Sequence, residues 1–154
     1  MVAGFERETE HGPGPEASVR FGVLYADDDV LVVDKPSGLV VHPGAGNQTG
    51  TLVNGLLALH PEIAGVGSAA RPGIVHRLDL GTSGALAVAR TQKAYDSLVA
   101  QLAERSVGRR YRALTWGCFE APKGVVDAPV GRSPKDRTRM AVVGSGRPAR
   151  TGYE

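Results

Sequence analysis

"GIVHRLDLGTSGALAVAR", residues 73–90, sets two apolar runs, 73–75 and 85–89, on either side of a polar knot of His76, Arg77, Asp79, Thr82 and Ser83. Short apolar runs bounded by glycines and hydroxyls read as buried strands, and "LGTSG" suits a tight turn between them. The stretch therefore predicts strand, turn, strand, with a carboxylate, an arginine and two hydroxyls at its mouth. Upstream, "FGVLYADDDVLVVDKPSG" (21–38) predicts a hairpin of strands 23–25 and 30–33 around the acidic turn 27–29. A Pro-Ser-Gly corner ends it, and Lys35 and Pro36 read as residues that shape this corner. "TLVNGLLALH" (51–60) has apolar residues at 52, 53, 56, 57 and 59, which is helical spacing. Downstream, Thr91 is a candidate N-cap for a helix running to Glu104, with Ala94, Leu98 and Leu102 facing inward.

From Tyr111 onward, "YRALTWGCF" alternates like a strand, and 117–133 reads as loop with at most one short strand. "RTRMAVVG" (137–144) and "ARTGYE" (149–154) each start another strand. Strands outnumber helices and the helices are scattered. The expected class is α/β (α+β), a mixed and largely antiparallel sheet with flanking helices. Residues 1–20, rich in Gly, Pro and Glu, predict a disordered N-terminal tail, which leaves 21–154 as one folded region. A strand that opens just before Glu154 with no partner is a weak architecture, so the end reads as cut.

Charge is unevenly distributed. Three basic side chains face nine acidic ones in residues 1–70, and fifteen face seven in residues 71–154. The excess lies in 105–150, where arginine dominates. Such a block fits either a solvated basic face or a polyanionic partner, because arginine's fork binds oxygens in pairs. No apolar run reaches the roughly 18 residues of a membrane span, and the N-terminus lacks the basic and apolar regions of a secretory signal. With one cysteine, Cys118, no internal disulfide can form, and a reducing cytoplasm is the expected location.

The familiar catalytic signatures are missing. "HPGAGNQTG" has no phosphate-loop lysine, the four histidines show no metal-ligand spacing, and Ser83 does not sit in G-x-S-x-G. No metal or cofactor is expected. That leaves Asp79, which either caps its turn by accepting backbone N–H bonds or serves as a reactive carboxylate. Arg77 likewise either pairs with a carboxylate or contacts phosphate and base. Tyr111 and Trp116 in "RRYRALTWG" are core residues or stacking platforms for bases.

"HRLDLGTSG" (76–84) resembles the signature motif of the RNA pseudouridine synthases, in the branch that modifies large-subunit ribosomal RNA and tRNA. The resemblance extends to "DDDVLVVDKPSGLVVHPGAGNQTGTLVNGLL" (27–57), "RPGIVHRLD", the helix after it, "RRYRAL" and "RTRMAV", in family order. It covers 21–154 and implies the pseudouridine synthase catalytic fold, incomplete here. By this resemblance Asp79 is the catalytic aspartate. Arg77 takes the space of a flipped-out uridine, Tyr111 stacks on the uracil, and His76, Thr82, Ser83 and Gly84 support the loop. The implied partner is RNA, ribosomal above all, with no membrane and no metal. The sequence leaves the oligomeric state open, with a monomer as the default expectation and an open sheet edge that could recruit a partner chain. Two family features are absent: an N-terminal S4-type module, and a later G-R-T-H-Q-like segment whose arginine supports the carboxylate. Arg77 and Arg139 are the candidates to replace that arginine. The alternative is an RNA-binding remnant without turnover. An unstable fragment, or a hydrolase built on Asp79 and His76, ranks below both.

Overall fold

The computed structural model describes residues 12–44 and 46–154, and these divide between Arg109 and Arg110 into two units. In the first unit, strands β1 (Gly22–Ala26) and β2 (Val30–Lys35) form the expected antiparallel hairpin, and β5 (Gly84–Ala89) pairs with the far edge of β2. The tight acidic turn is held by Asp27. Its Oδ1 accepts from the amides of Asp29 and Val30, and its Oδ2 from the Tyr25 hydroxyl. Between β2 and β5 the chain forms helix α1 (Leu52–Leu59), a 3-10 turn (Pro61–Gly65) and a small ribbon of β3 (Gly67–Ser68) and β4 (Arg71–Pro72). Helix α2 (Gln92–Ala103) follows β5.

Side-chain period fixes the packing. Along β2, Leu31 and Val33 are buried while Asp34 is exposed, as strand alternation requires. They join Leu86 and Val88 of β5 against Leu52, Val53, Leu56 and Leu57 of α1, with Ile63, Ile74 and Leu78 completing the cluster. Helix α1 carries no charge and buries six of its eight residues, so packing rather than propensity holds it. At its start Asn54 Oδ1 accepts from the Thr51 amide at 2.9 Å and the Thr51 hydroxyl at 2.6 Å, which ties the first turn. A second cluster seats α2: Ala94 packs with Val66 and Ala89, flanked by Val30, Tyr95 and Leu98. Thr91 caps α2 as the spacing predicts, its hydroxyl accepting from the Ala94 amide.

Three differences from expectation have physical causes. Residues 1–11 of the predicted tail lie outside the described residues, but 12–20 are tied to α1. The Glu16 amide donates to Asn54 O, Asn54 Nδ2 to Gly14 O, and the Gly50 amide to Glu16 Oε1. Residues 73–75 form no strand; Ile74 makes one isolated bridge to Val88, because Gly73 takes φ +72° and the chain then leaves the edge. The alternating segment from Tyr111 is not a strand either. Leu114 and Trp116 are fully exposed there.

The second unit consists of two antiparallel ribbons: β6 (Gly124–Asp127) with β9 (Arg150–Tyr153), and β7 (Val130–Arg132) with β8 (Met140–Val142). The final strand therefore has a partner, contrary to the expectation of an unpaired end, and Tyr153 stacks on Phe119 with ring centroids 4.2 Å apart. No residue in 110–154 is buried. Two-stranded ribbons without a covered face are marginal in water.

A long-range clamp supports the first unit. Arg90, at the end of β5, donates through Nε and Nη2 to Glu62 Oε1 at 3.0 and 2.8 Å, and through Nη1 to Asp27 O. Burial alone would raise the pKa of Glu62, but the Arg90 hydrogen bond and charge hold it below the ordinary 4.5. The clamp is thus intact above that value and is lost as pH falls below it. Because both side chains are partly solvated, we expect Arg90→Ala to cost only about 1–2 kcal/mol, read as a lower thermal midpoint near pH 7. An unchanged midpoint would mean the clamp is ornamental.

Candidate functional site

Asp79 stands in the loop 77–83, between the edge bridge at Ile74 and the first residue of β5. Three bonds from the Pro-Ser-Gly corner pin this loop. Lys35 Nζ and the Gly38 amide donate to Leu80 O at 3.4 and 2.8 Å, and the Ser37 hydroxyl donates to Gly81 O at 2.9 Å. The Thr82 amide closes the turn onto Asp79 O at 3.0 Å. Leu78 anchors the other side by burying its side chain in the α1 cluster. The loop is fixed by its backbone, and this leaves the carboxylate of Asp79 outside, its side chain 85% exposed.

The sequence-predicted residues fall into three groups. Arg77 lies beside Asp79, and His76 precedes them at the start of the loop. Arg77 Nη2 is 3.7 Å from Asp79 Oδ1, with its side chain 67% exposed. An exposed pair at that distance adds little to stability, so both groups stay available to a ligand. His76 is half-buried and accepts the Ala87 amide at Nε2, 3.0 Å away. Thr82 and Gly84 shape the turn. Gly84 takes φ +128°, a backbone conformation that L side chains rarely adopt, opposite Lys35 in the β2–β5 register. Ser83 is exposed and forms no hydrogen bond among the described residues. Tyr111 lies in the second unit, 62% exposed. Arg139, considered as a partner for the carboxylate, pairs within its own unit with Asp136 at 3.2 Å.

Lys35 is the residue sequence reasoning undervalued. It falls in phase with Leu31 and Val33 on the buried side of β2 and is 0% exposed. Its ammonium donates to Pro36 O at 3.0 Å and Leu39 O at 2.8 Å besides Leu80 O. Burial pushes its pKa below the ordinary 10.5, and the negative charge of Asp79 opposes that shift. The buried ammonium thus lies behind the loop that carries the exposed carboxylate. The signal was available: a lysine at the third buried position of an alternating strand is seldom there for solubility.

The site is thus a rigid loop presenting one carboxylate with an arginine beside it and a buried ammonium behind it. Comparison with known proteins agrees along the chain. The family described as RNA pseudouridylate synthase matches residues 29–153. The ribosomal large subunit pseudouridine synthase D of Nitrosomonas europaea is 50% identical over 99% of this chain and 43% of its own length. That of Xanthomonas campestris is 51% identical over 95% of this chain and again 43% of its own length. The chain therefore spans less than half of these relatives. Among solved structures, the human RNA pseudouridylate synthase domain containing 1 superposes with TM-score 0.65 at 26% identity, covering 90% of this chain and 52% of that one. These matches run through both units and across the loop that carries Asp79, and the chain belongs to the RNA pseudouridylate synthase family.

Proposed function

We propose that this chain carries the catalytic carboxylate of an enzyme that isomerises uridine to pseudouridine in large-subunit ribosomal RNA. The observation that carries the reading is an exposed Asp79 on a loop pinned from beneath by Lys35, Gly38 and Ser37, within a family match spanning residues 29–153. The isomerisation breaks the N1–C1′ bond of uridine, turns the freed base, and joins C5 to C1′. C5 gives up its proton and N1 gains one, so the atoms balance without a redox change or a group donor. Asp79 acts on the ribose, as nucleophile at C1′ or as base toward a ribose proton. Either role needs the ionised form of the carboxylate. A stacked or paired uridine must leave its helix to reach an aspartate on a loop. By the resemblance of their motifs to the family, Arg77 fills the gap it leaves and Tyr111 stacks on the uracil. The names of the relatives point to ribosomal RNA as substrate.

The test is tritium release from unmodified large-subunit RNA labelled at uridine C5, since that hydrogen must depart as C5 joins the sugar. Release with formation of pseudouridine supports the reading; tight RNA binding with no release favours a remnant that binds without turnover. The basic block carries a separate expectation. If on the order of five of its side chains meet phosphates of single-stranded RNA, the logarithm of affinity should fall against that of salt with a slope of about −3.5. Fluorescence anisotropy between low and moderate salt measures it, and a slope near zero would remove the block from the RNA interface.

A further inference from the structure

The residues just before Asp79 run along the free edge of β5. The Ala89 amide donates to Gly73 O at 2.8 Å, and Ile74 bridges Val88. The next amide on that edge is Ala87, two residues back. In a continuing ladder it would meet a backbone carbonyl. It meets the side chain of His76 instead, donating to Nε2 at 3.0 Å. The imidazole thus stands in for a carbonyl at the point where the chain peels away to form the Asp79 loop.

A backbone N–H can donate only to a ring nitrogen that has a free lone pair. Nε2 is therefore unprotonated and the ring proton sits on Nδ1. A protonated imidazole has no acceptor left, so the bond to Ala87 is lost on protonation. We propose that His76 is the positioning residue of this site: its Nε2 lone pair fastens the start of loop 77–83 to β5 and so sets where Asp79 stands, and protonation of the ring unfastens it. The inference rests on the proposed function for its catalytic meaning, but not for its structural content.

The surroundings favour the fastened state at neutral pH. Burial, and then the positive charge of Arg109, hold the pKa of His76 below the ordinary 6.5. β5 carries no titratable side chain, and the charged residues next along the chain from His76 are Arg77 and Asp79. With the folded value below the unfolded one, this contribution is full above pH 6.5 and declines as pH falls through that value.

Two readouts on the full chain test the inference. Long-range proton–nitrogen NMR assigns the tautomer of His76, and hydrogen exchange gives protection factors for Ala87, Gly38 and Thr82, whose amides report the latch and both sides of the loop. The expected result is the Nδ1–H tautomer at neutral pH. All three protection factors should then fall by about tenfold or more as His76 titrates. In His76→Gln the carboxamide oxygen supplies an acceptor that does not titrate, so protection should persist into acid. His76→Phe keeps the bulk without an acceptor and should lack protection even at neutral pH; should that variant not fold, wild type and His76→Gln still decide. In turnover, kcat should fall on the acid side for wild type and stay level for His76→Gln, with KM unchanged in both. The Nε2–H tautomer, or loop protection indifferent to the titration of His76, overturns the inference. Correct tautomer and protection with no tritium release in any variant would leave the latch standing and sink the isomerase reading instead.

Discussion

Lys35→Met should lower both the thermal midpoint and the turnover of this chain. The wild-type ammonium has no solvent exposure and spends its three protons on Pro36 O, Leu39 O and Leu80 O. Methionine fills similar volume but donates nothing. Leu80 O keeps its bond from the Gly38 amide, whereas the carbonyls of Pro36 and Leu39 lose this donor. An unpaired acceptor costs about 1–3 kcal/mol when buried, but these bonds are only part-buried, so water recovers some of that, and a buried charge no longer needs desolvating. The net expectation is a loss of about 1–3 kcal/mol. The sign of the pH dependence is also set. Burial holds the lysine below its ordinary 10.5, so as pH rises the folded chain sheds this proton before the unfolded chain does. The stability gap between wild type and Lys35→Met should widen toward alkaline pH. For turnover, the loop loses one of its pins and Asp79 loses its buried cation, and misplacement by about 1 Å alone can cost about 10²-fold. A folded Lys35→Met with wild-type kcat would return Lys35 to corner-shaping alone.

Asp79→Asn should have the opposite profile, a very large effect on chemistry and almost none on the fold. The side chain is 85% exposed, an exposed arginine lies 3.7 Å away, and the buried Lys35 ammonium interacts with it only through space. Surface substitutions of this kind stay within about 0.5 kcal/mol. The amide keeps the shape of the carboxylate but can neither attack C1′ nor take a ribose proton. Removing the acting group of a covalent or proton-transfer step commonly costs about 10⁴-fold or more. Position 79 is therefore where stability and activity should separate most cleanly, and position 35 where they should fall together.

Local signals in the chain were enough for much of this architecture. The acidic turn at 27–29 with alternating apolar flanks gives β1 and β2, five apolar positions at helical spacing give α1, and Thr91 starts α2. What misled was pattern without partner. Residues 73–75 are apolar enough for a strand, yet a positive φ at Gly73 and the departure to the loop leave one bridge. The alternation after Tyr111 is strand-like, but a strand exists only when another backbone accepts its hydrogen bonds, and none does among the described residues. At the site, Asp79 and Arg77 were legible from the motif that contains them. Their supports were not, because Lys35 and Leu80 are 45 residues apart and the Ala87–His76 bond joins a side chain to a backbone amide across the strand edge. The clamp of Arg90 on Glu62 and Asp27 is equally nonlocal.

The most direct measurement compares wild type and Asp79→Asn for tritium release and pseudouridine content on the same unmodified large-subunit RNA, with RNA affinity determined in parallel. The account predicts release by wild type, loss of about 10⁴-fold or more in Asp79→Asn, and RNA affinities that agree within a few-fold. Release that survives in a folded, RNA-binding Asp79→Asn chain would contradict it, because the carboxylate on this loop could not then be the reagent.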